Sequence, residues 1–407
     1  MSELKDVYIV DACRTAIGKF GGTLKPLNAD ALATAVMKAS VERSGVPADK
    51  IDEVIFGHCR QTSDFSNTAR YSALAAGIPE EVPASTVMIA CASGMMAVRN
   101  GTDSIRTGEN DIVLAGGTES MTNGFFYISN ARWGVGTGTT QLKDCLTEAQ
   151  FNSQPQDMYG KFNMGNTAEK IADKFGVSRE DQDEFSFASQ QKALAAIANG
   201  RFKEEIIPVT VPQGRKKDPI VFDTDEFPRE TTLEKMAALK PCFAFDGAST
   251  ATITAGSSSG RNDGAAAIML ANQEKVDELG LKPMAKILAC TVAGVDPTIM
   301  GMGPVPATKK ALKIAGMSLD DIGLFELNEA FASQALACIR ELGIEDRMDV
   351  INVNGGGISL GHPIGCSGAR IIVTLVHEMK KRGVKYGLAT LCIAGGMGMA
   401  TIVELCD

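Results

Sequence analysis

Two distant stretches of this 407-residue chain follow one plan, and that repetition constrains the fold more than any single motif. In the first, Ser93-Gly94 opens an apolar helical pattern, a charged turn follows, and Asp111 to Ala115 leads into Gly116-Gly117. In the second, Ser367-Gly368 opens an apolar helical pattern, Lys380-Lys381-Arg382-Gly383 makes the turn, and Tyr386 to Cys392 leads into Ala394-Gly395-Gly396. Self-similarity on this scale signals an internal duplication. Two similar halves packed together place a cleft at their junction, fed by loops from both.

The local patterns fit such halves. Val7 to Val10 and Val54 to Phe56 are short β-branched runs that read as strands. Ala29 to Gly45 reads as a helix stopped by glycine. Ile112 to Ala115 suits a buried central strand closed by Gly116-Gly117. This alternation predicts a layered α/β fold. The segment 121–262 departs from the plan. It carries the single tryptophan, Trp133, the basic run Arg215-Lys216-Lys217, and a helix predicted from Ser178 to Asn199 with an N-cap and acids in its first turn. The expected division is therefore 1–120 with about 263–284 as one half, 121–262 as a loop domain over the cleft, and 285–407 as the other half.

Bulk numbers exclude several function classes. Apolar residues make up 44% and charged residues 22%, as in globular enzymes. A net charge of −9 argues against non-specific nucleic-acid binding. No apolar run approaches the ~18 residues of a membrane span. Neither a signal-peptide layout near Met1 nor a peroxisomal address at Leu405-Cys406-Asp407 is present, so a cytoplasmic protein is expected. Ten cysteines without a C-x-x-C pair, and His58, His362 and His377 without zinc-ligand spacing, predict neither a disulfide framework nor a metal site.

Three residues carry the chemistry. Cys91 lies between the strand-like Thr86 to Ile89 and the helix opened by Ser93-Gly94. A side chain there meets exposed N–H groups and the helix dipole, which favour a thiolate. His362 follows the glycine run Gly355 to Gly357 and precedes Pro363 and Gly365; it is placed to take a proton or to donate to an oxyanion. Cys392 ends an apolar strand before Ala394-Gly395-Gly396, a turn whose N–H groups can face an oxyanion. Asn328-Glu329, after Leu324 to Leu327, reads in isolation as a helix cap. Two thiols and an imidazole suit carbon–carbon bond chemistry beside a thioester. Acyl transfer needs a nucleophile that is also a leaving group. A thiol holding the acyl group cannot also be the base, so a second one is required.

Together with Asp11 to Phe20, Asp223 to Arg229, Gly294 to Pro297 and Gly303-Pro304, these motifs make the chain resemble the thiolase family over nearly its whole length. The resemblance implies duplicated five-stranded α/β halves in an α-β-α-β-α layered core with an inserted loop domain. It implies ping-pong condensation of two acetyl-CoA to acetoacetyl-CoA and CoA, and the thiolytic reverse. Cys91 would take the acyl group. His362 would activate it and, with Asn328 acting through a water, form one oxyanion hole. Cys392 would be the second acid/base, and the N–H groups of Cys91 and Ala394 the second oxyanion hole. Arg215, Ser259, Met164 and Phe331 would meet the CoA thioester. CoA and acyl-CoA are substrates; no permanent cofactor, metal, nucleic acid or membrane is implied. Relatives are dimers or tetramers, and the stretch Arg132 to Gly138 is either a tetramer contact or a solvated loop.

Other readings use the same residues. A degradative 3-ketoacyl-CoA thiolase would act on longer chains. A ketosynthase-like enzyme would replace Cys392 by His or Asn. A non-catalytic thiolase-like subunit would lack the nucleophile or the histidine. The chain departs from the family pattern at four places: Met88 stands where Asn is frequent, Ala394 replaces a Gly but keeps the N–H donor, Asn163 in place of His bears on substrate length, and a longer stretch from Asp246 to Gly256 is expected to reshape the acyl or pantetheine pocket.

Overall fold

The computed structural model describes residues 4–244 and 251–406. The first half contributes β1 (Val7–Thr15), α1 (Ala29–Ser44), β2 (Glu53–Gly57), α2 (Thr68–Ala75), β3 (Ala84–Val87), α3 (Ser93–Thr107), β4 (Ile112–Ser120) and β5 (Asn262–Asn272). Between β4 and β5 lie α4 (Met164–Lys174) and α5 (Arg179–Ala198) of the inserted segment. Helix α5 begins as its sequence predicts: the Ser178 hydroxyl accepts from the Asp181 N–H, and the Asp181 carboxylate accepts from the Ser178 N–H. The second half contributes β6 (Ala285–Gly294), α6 (Pro304–Ala315), β7 (Leu324–Leu327), α7 (Ala332–Leu342), α8 (Ile364–Arg382), β8 (Tyr386–Ile393) and β9 (Met397–Leu405).

The duplication is visible in the sheet. In the first half the strand order is β3-β2-β4-β5-β1, and in the second it is β7-β8-β9-β6. Strands β2 and β4 run parallel, β4 and β5 antiparallel, β5 and β1 antiparallel. Strands β7, β8, β9 and β6 repeat that pattern of parallel, antiparallel, antiparallel. The counterpart of β3 is reduced to a single parallel bridge, Ile351 to Phe325. The halves join edge to edge where Tyr8 and Ile9 of β1 meet Lys286 and Ala285 of β6.

Three apolar clusters mark the layers. One packs α1 and α2 on the outer face of the first sheet through Leu32, Val36, Val54 and Leu114. A second packs α6 and α7 on the outer face of the other sheet through Ala311, Phe325, Ile339 and Ile402. The third lies between the sheets and holds Val98 of α3 with Ile371, Val373 and Leu375 of α8. Helix α8 is buried from Gly365 to Met379 and is apolar except for one stripe, Ser367, Arg370, Thr374, His377 and Glu378, whose polar groups face buried partners. The two repeat helices, α3 and α8, therefore form the central layer of an α-β-α-β-α stack.

Gly116 and Gly117, expected to close β4, instead lie inside it, because β4 continues to Ser120. A Cβ on Gly116 would run into the Ala266 carbonyl of the paired strand, and one on Gly117 into the carbonyl of Gly365. These glycines allow close approach between layers and do not end the strand. The stretch Arg132 to Gly138 is exposed, with Trp133 at 86%.

Candidate active site

The Cys91 side chain is presented by a sharp elbow between β3 and α3. Ala90 has φ +47°, left-handed backbone that costs a residue with a Cβ about 1–2 kcal/mol. The Ser93 hydroxyl clamps the elbow: it donates to the Ala90 carbonyl (2.7 Å) and accepts from the Ile89 N–H (2.9 Å). The Cys59 thiol also donates to the Ala90 carbonyl, at 3.0 Å. Cys91 is left half-buried on the wall of a cleft of about 1010 Å³.

That cleft brings together most of the residues singled out by sequence. Cys91, His362, Cys392, Ala394, Met164, Phe331 and Ser259 all line it, as does Met88. Phe331 stacks edge-on against Phe243, with centroids 6.0 Å apart. Ser259 is tied to the loop after β7 by its N–H, which donates to the Ala330 carbonyl at 2.9 Å. Arg215 is exposed and lies outside the cleft lining. Asn163 is not a lining residue either; its side chain caps α4 by accepting from the Asn166 N–H at 3.0 Å. Of the longer stretch expected to reshape the pocket, Asp246 to Thr250 lie outside the described residues.

His362 is held from both ends. Its N–H donates to Asn262 Oδ1 at 3.0 Å. Its Nδ1 lies 2.6 Å from the Ser367 hydroxyl, which itself donates to the Pro363 carbonyl at 2.9 Å. Serine has one proton to give. With that proton on Pro363, Nδ1 must donate to Ser367, and Nε2 keeps its lone pair. Nε2 is buried without a hydrogen-bond partner among the described residues, as is Asn328 Oδ1. The Asn328 amide nitrogen lies 3.5 Å from the imidazole. Asn328 and Glu329 cap no helix: the N-cap of α7 is Phe331. Glu329 instead accepts from Ser189 (2.6 Å) and Asn352 (2.8 Å) and packs under Gly356, fixing the glycine run before His362.

Burial sets the protonation states. It lowers the His362 pKa to about 4, aided by the charge of Arg370, so the imidazole is neutral at pH 7. Burial raises the Cys91 pKa above the usual thiol value, although the Ala394 N–H, the charge of Arg60 and its own N–H oppose it. The helix-terminus thiolate expected from the sequence is thus outweighed by desolvation, and the resting pair is thiol and neutral imidazole. Cys392 is pushed well above the ordinary range, first by burial and then by the neighbouring Cys91. Ala394 is not among the residues with positive φ, so its Cβ introduces no strain into the turn, and its N–H reaches the Cys91 sulfur.

Sequence reasoning missed several groups here. In the sequence Ser367 marks only a helix start, yet a serine five residues after a histidine at a helix entrance is within hydrogen-bond reach. Glu119 accepts from the N–H groups of Cys59, Arg60 and Gly365, pinning the His362 loop to the first half. Burial works against its charge, but the hydrogen bond and charge of His58 hold it below the usual carboxylate range. Arg60 and Phe243, in irregular chain, and Met300, in the short helical turn Pro297–Met302, line the cleft from positions that no local pattern marks.

The thiolase N-terminal domain model matches residues 7–274, and the thiolase C-terminal domain model matches residues 281–405. This chain belongs to the thiolase family. An acetyl-CoA acetyltransferase of Syntrophomonas wolfei is 50% identical over 400 residues, 98% of this chain and 99% of that protein. One from Cupriavidus necator is 48% identical over 98% of this chain and 100% of its own. Among solved structures, the Bacillus anthracis acetyl-CoA acetyltransferase superposes with a TM-score of 0.95 at 43% identity, covering 100% of both chains. Human mitochondrial 3-ketoacyl-CoA thiolase gives 0.93 at 40% identity, again over 100% of both. The thiolase fold and acyltransferase class thus agree with the cleft that the two halves build.

Proposed function

We propose that this thiolase is an acetyl-CoA C-acetyltransferase, joining two acetyl-CoA into acetoacetyl-CoA and CoA and running the thiolytic reverse. The observation that carries this reading is the convergence of Cys91, Cys392 and His362 on one cleft. His362 Nε2 takes the proton of Cys91 as the sulfur attacks the thioester carbonyl. CoA leaves, and an acetyl group stays on Cys91. Cys392 then removes a proton from the α-carbon of a second acetyl-CoA, and that carbon attacks the acetyl-cysteine. His362 with Asn328, through a water, supports one oxyanion, and the N–H groups of Cys91 and Ala394 support the other. Such donors face charge that appears only during reaction, so they lower the barrier more than they tighten binding.

Met164, Phe331 and Ser259 hold the thioester end of the acyl-CoA substrate, and Arg215 meets its CoA moiety from an exposed loop. The half boundaries 1–120 with 263–284 and 285–407, with 121–262 as the covering domain, complete this reading, as do a cytoplasmic location and a homo-oligomer, dimer or tetramer. Among the described residues no helix is long and apolar enough to cross a membrane. The test is CoA-dependent cleavage of acetoacetyl-CoA by the wild type and by Cys91→Ser. The wild type turns over; Cys91→Ser loses about 10³-fold or more. Absence of cleavage by the wild type rejects the reading.

A further inference from the structure

Glu119 is fully buried at the end of β4. A carboxylate stays charged there only with hydrogen bonds and counter-ions around it. Glu119 has both. Its Oε1 accepts from the Arg60 N–H at 3.1 Å, and its Oε2 accepts from the N–H groups of Cys59 (3.1 Å) and Gly365 (3.0 Å). His58 Nε2 stands 3.4 Å from Oε1, and the charges of His58 and Arg60 help hold the carboxylate ionised against burial.

None of these backbone donors lies in the sheet that carries Glu119. Two belong to the bend after β2, where the Cys59 thiol donates to the Ala90 carbonyl at 3.0 Å and meets the Ser93 hydroxyl at 3.3 Å. That carbonyl belongs to the left-handed residue that presents Cys91. The third donor is Gly365, three residues after His362 and at the entrance of α8. A Cβ on Gly365 would run into the Thr118 carbonyl and come within 2.9 Å of Glu119 Oε2, so glycine lets the strand end reach this loop. One carboxylate thus ties the support of the nucleophile, in the first half, to the loop of the base, in the second. Hydrogen bonds to an ionised acceptor are short and strong, which suits a joint that must not drift.

The charge also reaches both catalytic groups. Burial sets the two pKa values first; Arg60 then lowers that of Cys91 and Arg370 that of His362, and Glu119 opposes each, raising both. A negative charge here disfavours a thiolate at rest and favours the imidazolium formed when His362 takes the proton. The other ionisable groups that feel this carboxylate are Asp263 on β5 and the thiols of Cys59, Cys145 and Cys366.

We propose that Glu119 is a positioning residue of the active site, whose buried carboxylate locks the Cys91 elbow against the His362 loop across the junction of the halves. This rests on the thiolase chemistry proposed above. Its charge keeps the resting thiol protonated and steadies the imidazolium that appears as the sulfur attacks.

The test uses Glu119→Gln and Glu119→Asp in the full chain. Thermal melting reports folding, CoA-dependent cleavage of acetoacetyl-CoA gives kcat and KM, and iodoacetamide alkylation of the Cys91 peptide is followed against pH. Gln keeps the length, but one carbonyl oxygen replaces two acceptors and the charge is gone. Its kcat should fall about 10- to 100-fold at unchanged KM, the size of a small misplacement of reacting groups. Its alkylation should begin to rise at lower pH than in the wild type. Asp keeps the charge but is too short to span both loops, so kcat falls while the alkylation profile stays with the wild type. A loosened fold would not lower turnover and shift Cys91 ionisation in the one variant alone. Wild-type kcat in Glu119→Gln overturns the proposal, as does an alkylation profile that stays in place in Gln or moves equally in Asp. Should Glu119→Gln not fold, wild-type kcat in Glu119→Asp overturns it. Failure of the wild type to cleave acetoacetyl-CoA removes the thiolase reading itself, and this proposal with it. Cleavage by the wild type with both variants unaffected removes only the role of Glu119.

Discussion

A thiol that rests protonated changes what the imidazole beside it must do. Burial raises the pKa of Cys91 and lowers that of His362 to about 4, so proton transfer between them is coupled to substrate attack and does not precede it. Alkylation of Cys91 by iodoacetamide, followed on its own peptide, should therefore keep rising beyond pH 9 and show no plateau near neutrality. A plateau below pH 7 would mean a preformed thiolate. The same burial gives Cys392 a separate role. Cys392→Ser should still become acetylated on Cys91, while acetoacetyl-CoA formation falls about 10³-fold or more. Mass measurement of the Cys91 peptide beside a condensation assay separates the two half-reactions. If both half-reactions fell together, Cys392 would instead belong to the acylation step.

Between elements, the cleft depends on how closely the halves approach. Gly117 in β4 faces the Gly365 carbonyl at the start of α8, and Gly94 in α3 lies 2.9 Å, measured from an added Cβ, from the Ala369 N–H. Gly117→Ala must push α8 and its His362 loop outward. A loss of about 1–3 kcal/mol of stability is expected, as for other overpacked sites, with a fall in kcat in the protein that remains folded. Unchanged melting and turnover would show that the contact between layers yields freely. Elements of this kind were partly legible in the sequence. The repeat of helix, basic turn and apolar strand revealed the duplication, because both halves bury the same surfaces and so keep the same pattern. Cys91, Cys392 and His362 stood out because each sits beside small residues that let ligand or backbone come close. Arg60, Glu119 and the partnership of Ser367 with His362 did not stand out. Their meaning comes from neighbours distant in the sequence, or from the helix geometry at a loop end, and no local periodicity records either. Gly116-Gly117 misled for a related reason, since glycine marks a strand end and a tight interlayer contact alike.

At the scale of the whole molecule, a buried polar seam runs beneath the apolar layers. Arg14 is paired with Asp225 at 2.8 Å and Glu205 at 2.7 Å, Arg201 with Glu205 at 3.0 Å, and Arg370 with Glu326 at 3.4 Å. Burial raises the Glu326 pKa to about 8, against the pull of Arg370. Its folded pKa exceeds its unfolded value near 4.5, so the folded state binds more protons between them. The contribution of Glu326 is full below about pH 4.5 and is lost as pH rises through about 8. Thermal unfolding of Glu326→Gln should accordingly decline less than wild type between pH 6 and 9; an identical decline would show that Glu326 is ionised throughout. Of these groups Arg370 reaches the cleft through its charge on His362, while the cleft's chemistry rests on one covalent event. The most direct measurement is to mix the protein with acetyl-CoA, quench in acid, and locate the acetyl group by peptide mass. The account requires it on Cys91, released when CoA is added back. An acetyl group on another residue, or none while acetoacetyl-CoA is still formed, would contradict it.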